Sequence, residues 1–462
     1  MKRIFTIIGL LGCTVLMAQQ PISKEGGITP DILNQIKESY KDTPSDRAVK
    51  NALAGTSAGV LATNADNAAM IDTHFSDRVT TKGITDQKSS GRCWLFSGLN
   101  VLRAQTIAKW ELPDLVLSQG YVFFYDQLEK SNLFLQGVID TRNKPFEDRE
   151  VDWLFSNPIS DGGTFTGVAD LVSKYGCVPQ DAFVETFSAN STSQMRQLLS
   201  LKLREDGLKL REAPASKVQQ MKQEMLGEIY RMLVLFLGEP PTEFTWARCD
   251  GKDNIVETVT CTPREFYERF IGNDLQEGYV MLMNDPSRPY YKMYEISYGR
   301  HCYDGHNWAY LNLPTEDIKS MAIASIKAGK AMYFSCDVGK CFDRKKGTLD
   351  LDNFDYESLL GIEFPMDKAQ RVRTHASSSS HAMTLMAVDI NADGKPVKWM
   401  VENSWGKDSG YKGHLIMTDE WFDNYMFRLV VEKEFVPEKL QSLLKTKPIL
   451  LPAWDPMFSM DE

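Results

Sequence analysis

Gln87-Lys88-Ser89-Ser90-Gly91-Arg92-Cys93-Trp94-Leu95-Phe96-Ser97-Gly98-Leu99 is the stretch on which the reading of this 462-residue chain turns. From Trp94 to Arg103 it is apolar with interspersed small residues, which predicts a mostly buried helix with Cys93 in its first turn. Helix N-termini present unpaired N–H groups and a positive dipole end, and both favour a negative sulfur. A thiol attacks a carbonyl only as its thiolate, so a cysteine placed there is a candidate nucleophile. Alone, Cys93 reads first as an inert buried thiol. Gln87, six residues earlier, changes that. Its side-chain N–H can meet a developing oxyanion beside the backbone N–H of Cys93.

Two distant segments complete the pattern: Ser380-His381-Ala382-Met383 and Val401-Glu402-Asn403-Ser404-Trp405-Gly406. Thiol, imidazole and amide in this order predict a cysteine-nucleophile hydrolase, most simply a peptidase. An imidazolium at His381 would lower the thiol pKa and protonate the leaving amine; the neutral ring would then activate water. Asn403 would fix the ring's tautomer, and Trp405 would shield that hydrogen bond from water. His375 competes for the base role but sits in a serine-rich segment that reads as a mobile loop. His381 instead enters the strand-like run Met383–Val388, which a hairpin can return to Asn403.

These segments, from Gln87 through Phe96 and around His381 and Asn403, resemble papain-like cysteine peptidases. Within them they resemble the bleomycin hydrolase and bacterial aminopeptidase C group. Gly413-His414-Leu415-Ile416-Met417-Thr418-Asp419-Glu420-Trp421-Phe422 and the tail Leu451-Pro452-Ala453-Trp454-Asp455-Pro456-Met457 resemble that group in particular. The resemblance covers most of the chain after about residue 30. It implies catalytic roles for Cys93, His381 and Asn403, with Gln87 at the oxyanion hole. It implies no cofactor, peptide substrates with a free N-terminus, and a homohexameric ring. It also implies a C-terminal arm in the cleft, whose end, here Met460, Asp461 and Glu462, would bind the substrate's amine. That ending is more acidic than the group's usual small, apolar one.

The expected fold class is α+β: two lobes with a cleft between them, a large helical insertion and the C-terminal arm. The expected segments are a signal peptide over 1–18, an N-terminal arm over 19–75 and a helical lobe with the nucleophile over 76–184. A helical insertion for oligomerisation over 185–310, a β-rich lobe over 311–450 and the arm over 451–462 follow. Met195–Leu210 and Val218–Leu237 show apolar residues at three- and four-residue spacing, hence two helices. Strands are expected from Ala331 onward.

Composition narrows the classes. The chain is 43% hydrophobic with net charge −10, and no basic cluster interleaved with aromatics occurs. Nucleic-acid binding is therefore disfavoured. Lys2-Arg3 followed by the apolar Ile4–Met17 reads as a secretory leader, too short to span a bilayer. No later run is long enough to span one. The expected setting is periplasmic or secreted, with lipidation at Cys13 as the alternative. Of eight cysteines, Cys249 and Cys261 flank a turn and are candidates for a bridge across it.

Asp389, Asn391, Asp393 and Gly394 begin like a calcium loop. Met400 stands where a bidentate glutamate is needed, so a hairpin turn is expected. His301, Cys302 and His306 read as a polar loop rather than a metal site. The functional reading is a cysteine aminopeptidase acting through a Cys93 thioester. Its alternatives are an endopeptidase or dipeptide-releasing peptidase, and a non-catalytic ring scaffold.

Overall fold

The computed structural model describes residues 26–69 and 72–458. The expected leader and Met460, Asp461 and Glu462 lie outside the described residues. The chain divides into two compact units, Met1–Leu61 and Ala62–Glu462. The smaller carries helices Pro30–Ser39 and Pro44–Gly55, each with proline in its first turn and a threonine cap, Thr29 and Thr43. Neither helix buries a residue. The boundary falls before that of the expected arm. Asn64 already donates its N–H to the Asn353 carbonyl, inside the larger unit.

The larger unit is α+β, built on a twelve-stranded mixed sheet. Its centre is the row Tyr279–Met283, Met426–Glu432, Met332–Cys336, His381–Ile390, Pro396–Glu402 and His414–Thr418, all antiparallel. Every residue of Met332–Cys336 is buried, as is His381–Val388. Such continuous apolar runs are the signature of strands covered on both faces. One face carries Met383, Leu385, Trp399, Met417 and Phe422 in a β-side core. The other meets a helical core of Leu99, Phe124, Leu135, Phe165 and Val168, which Tyr333, Ala382 and Val430 join from the sheet.

The helix Cys93–Trp110 lies where these cores meet. Each residue from Cys93 to Ala104 is buried, so the helix has no solvent face at that end. Gly98 permits the approach of helix Phe165–Tyr175: a Cβ there would stand 2.6 Å from Val168 Cγ2. An ion pair also bridges helix and sheet, Arg103 Nη2 to Glu402 Oε1 at 2.5 Å, with both side chains almost fully buried.

The expected insertion is helical only in its first half. Ser193–Glu212 and Val218–Leu237 form the two helices. The hairpin Phe244–Cys249/Ile255–Cys261 follows, then strands Tyr279–Met283, Lys292–Ile296 and Ala309–Asn312, which extend the main sheet. The hairpin register pairs Cys261 with Phe244 and Cys249 with Ile255. The two thiols therefore stand at opposite ends of the hairpin, about 16 Å apart at roughly 3.3 Å per residue. That is far beyond disulfide reach, and the expected bridge is corrected. Asn391–Gly394 is a hairpin turn, closed by Asn391 N–H to the Lys395 carbonyl at 2.9 Å.

Candidate active site

The helix Cys93–Trp110 begins at Cys93 because Gly91-Arg92 is held from the side. The Gly91 N–H donates to Asp161 Oδ2 at 2.8 Å, and a Cβ on Gly91 would stand 2.6 Å from that carboxylate. Arg92 is fully buried and paired with Glu185 at 2.9 Å. A guanidinium has no acceptor to offer, so the Arg92 side chain leaves the first-turn N–H groups uncapped.

Gln87 is buried and fixed at three points. Its N–H donates to the Ser404 carbonyl at 2.8 Å. Its Oε1 accepts from Ser404 Oγ at 2.6 Å, and its Nε2 donates to the Ser90 carbonyl at 2.6 Å. With Oε1 held by a hydroxyl donor, the amide orientation is determined, and one N–H of Nε2 remains to serve an oxyanion.

His381 opens the central strand, directly across from Cys336. Its Nε2 lies 2.8 Å from Asn403 Oδ1. That oxygen also accepts the Ser404 N–H at 2.8 Å, so its lone pairs are aimed. The Asn403 side chain is therefore an acceptor, Nε2 carries the proton, and Nδ1 is the basic nitrogen. Trp405 stacks on the ring, with centroids 4.6 Å apart and planes 27° apart. Burial pushes His381 down to about 4, against the opposing pull of Asn403. An imidazolium at this depth needs a negative partner, and a Cys93 thiolate is one.

Packing brings the thiol alongside. Thr384 Oγ1, three residues beyond His381, donates to the Ser97 carbonyl, four residues beyond Cys93. The Cys336 thiol, across from His381, is pushed well up, first by burial and then by Asp337 and by Cys93. Cys93, His381, Asn403 and Gln87 thus share one end of the interface between helix and sheet. His375 is exposed, in a left-handed turn at φ 58°. The serine segment is tied down, with Ser377 Oγ 2.7 Å from Asp337 Oδ2.

The His301 ring that packs on Trp94 also borders a largely apolar cavity. Phe134, Leu154, Ile159, Gly163, Tyr298 and His301 line it, and Phe458 of the C-terminal tail reaches it. The tail is anchored just before that point. Arg288 pairs with Asp455 at 3.0 Å, and Arg428 Nη2 donates to the Met457 carbonyl at 2.6 Å.

The His301 and His306 rings are engaged by carboxylates, Asp126 at 2.5 Å and Asp170 at 2.8 Å. Glu129, Cys302 and Asp304 do cluster. The Lys174 ammonium already bonds Glu129 at 2.7 Å and Asp304 at 2.8 Å, so a side-chain cation occupies that position.

Sequence reasoning missed Ser404, which orients Gln87, and Asp161, which holds Gly91. Ser404 stood inside a quoted motif. Asp161 was signalled only by Ser160-Asp161-Gly162-Gly163, a loop-like run with no partner visible in sequence.

The model of the Peptidase C1-like family matches residues 27–458. Human bleomycin hydrolase is 40% identical over 395 residues, covering 82% of this chain and 87% of that protein. Aminopeptidase C of Lactococcus lactis subsp. cremoris is 37% identical over 437 residues, covering 93% and 99%. The crystal structure of PepW from Lactobacillus rhamnosis HN001 superposes with a TM-score of 0.90. It is 36% identical and covers 94% of this chain and all of that one.

Proposed function

We propose, for a chain that belongs to the Peptidase C1-like family and is a cysteine aminopeptidase, that Cys93 is the nucleophile, His381 the acid–base and Asn403 its orienting partner. Gln87 is the oxyanion donor. The observation that carries this is the Asn403–His381 bond beneath Trp405, at the end of the strand that packs on the nucleophile helix.

The Cys93 thiolate adds to the carbonyl carbon of the first peptide bond. The new oxyanion accepts from Gln87 Nε2 and the Cys93 backbone N–H. His381 delivers its proton to the leaving amine, the C–N bond breaks, and a thioester remains. Water, deprotonated by His381, then releases the N-terminal residue and restores the thiol.

Three further readings accompany this one. Selection for a free amine is assigned to the acidic end of the chain, Met460, Asp461 and Glu462. The anchoring of Asp455 and Met457 supports that, because Phe458 is held at the cavity. Assembly into a homohexamer is supported by apolar side chains left exposed on helices Ser193–Glu212 and Val218–Leu237, among them Leu201 and Leu235. Export to the periplasm or medium is supported by the leader sequence.

The test is a free-amine aminoacyl fluorogenic substrate, its N-acetylated twin and a thiol-alkylating inhibitor. The expected result is release from the free amine alone, abolished by alkylation and by Cys93→Ser. Cleavage of the acetylated twin would refute the amine gate, and activity surviving in Cys93→Ser would refute the site.

A further inference from the structure

His301 is 208 residues from Cys93 in sequence, yet its ring lies against the indole that follows the thiol. The centroids of Trp94 and His301 are 4.7 Å apart. His301 Nδ1 lies 2.5 Å from Asp126 Oδ1, and Asp126 is completely buried. The other oxygen of Asp126 accepts from Lys130 Nζ at 2.9 Å. Lys130 also donates to the carbonyls of Ser160, at 3.1 Å, and Gly162, at 2.6 Å. All three ammonium hydrogens are thereby used.

Between those carbonyls, that of Asp161 accepts from Trp94 Nε1 at 2.8 Å. Three consecutive carbonyls are thus turned into the protein, two to Lys130 and one to Trp94. Gly163 follows, pressed against both rings. A Cβ on it would stand 2.4 Å from His301 Cε1 and 2.7 Å from Trp94 Cδ2. Only glycine fits, so backbone rather than side chain lines the cavity here.

We infer that Asp126, Lys130 and His301 are positioning residues that hold the Ser160–Gly163 strip beside Cys93 and thereby set how strongly the cleft grips a peptide's backbone. This rests on the Cys93 site proposed above. A cationic side chain with at least three N–H donors can bridge a carboxylate and two carbonyls at once. His301 completes the support by bracing Trp94 and Gly163 together. Because Lys130 holds only the Ser160 and Gly162 carbonyls of the strip while the Asp161 carboxylate stays on the Gly91 N–H, its loss displaces the binding surface and leaves Cys93 and the His381–Asn403 pair in place.

The test compares Lys130→Met, Lys130→Arg and His301→Asn with the unaltered protein, reading kcat and KM separately on the free-amine substrate. The rate of Cys93 alkylation by iodoacetamide is read alongside. Lys130→Met is expected to raise KM about ten- to hundredfold, the effect of losing hydrogen bonds to a charged group. Its kcat should stay within about threefold and alkylation should not change. Lys130→Arg should recover most of the lost KM. His301→Asn decides by the same split if Lys130→Met does not fold. An unchanged KM, or kcat and alkylation falling together, would overturn the inference. Activity in Cys93→Ser would instead overturn the site on which it rests.

Discussion

The helix Cys93–Trp110 and the pair Ser193–Glu212 and Val218–Leu237 are built on opposite terms. In the first, twelve consecutive residues are buried, polar Asn100 and Arg103 among them. In the second, burial recurs at Met195, Leu199 and Leu203 and at Met225, Ile229, Leu233 and Leu237, while Leu201 and Leu235 face outward. The interior helix is held from all sides, which suits a group whose position must not drift. The peripheral pair is held from one side and keeps apolar surface available.

Four experiments break or sharpen this contrast. Cys93→Ser should reduce turnover on the order of 10⁴-fold or more with an unchanged melting temperature, measured by steady-state kinetics and calorimetry. Gln87→Ala should lower kcat by about 10²–10³-fold, since one oxyanion donor is removed.

Acid titration reads the same burial. In a Cys93→Ser background His381 keeps its depressed value of about 4. Unfolded chain binds that proton first, so stability is full above about pH 6.5. It should fall by up to roughly 3 kcal/mol as pH drops to about 4. Denaturant melts across that window check it, and adding His381→Gln should flatten the dependence.

The smallest change is the most diagnostic: one substitution on both kinds of helix. Gly98→Ala puts a methyl 2.6 Å from Val168 and should cost about 1–3 kcal/mol. Gly227→Ala meets nothing within 4 Å and should stabilise by about 0.5–1 kcal/mol. Equal signs in chemical denaturation would erase the distinction.

The same contrast explains what the sequence made legible. Helices 195–210 and 218–237 could be read because one-sided burial leaves a three-to-four spacing. The helix Cys93–Trp110 has no such period, and its motif rather than its pattern announced it. Gln87, His381 and Asn403 were legible because this chemistry constrains residue type and order. Strands Tyr279–Met283, Lys292–Ile296 and Ala309–Asn312 were not. Each is five residues or fewer, too short for a period to declare itself, and each finds its place only by pairing with other strands. Asp126 and His301, 175 residues apart, meet through tertiary packing that local pattern does not encode.

The buried bond between Arg103 and Glu402 spans 299 positions. Synthesis runs from the N-terminus, so the guanidinium emerges long before the carboxylate that neutralises it. The central strands at 381–390, 396–402 and 426–432 arrive equally late. A ribosome-bound chain therefore holds Cys93 but neither His381 nor the charge partner of its helix. Closure of the interface between this helix and the sheet is deferred until nearly the whole polypeptide has been made.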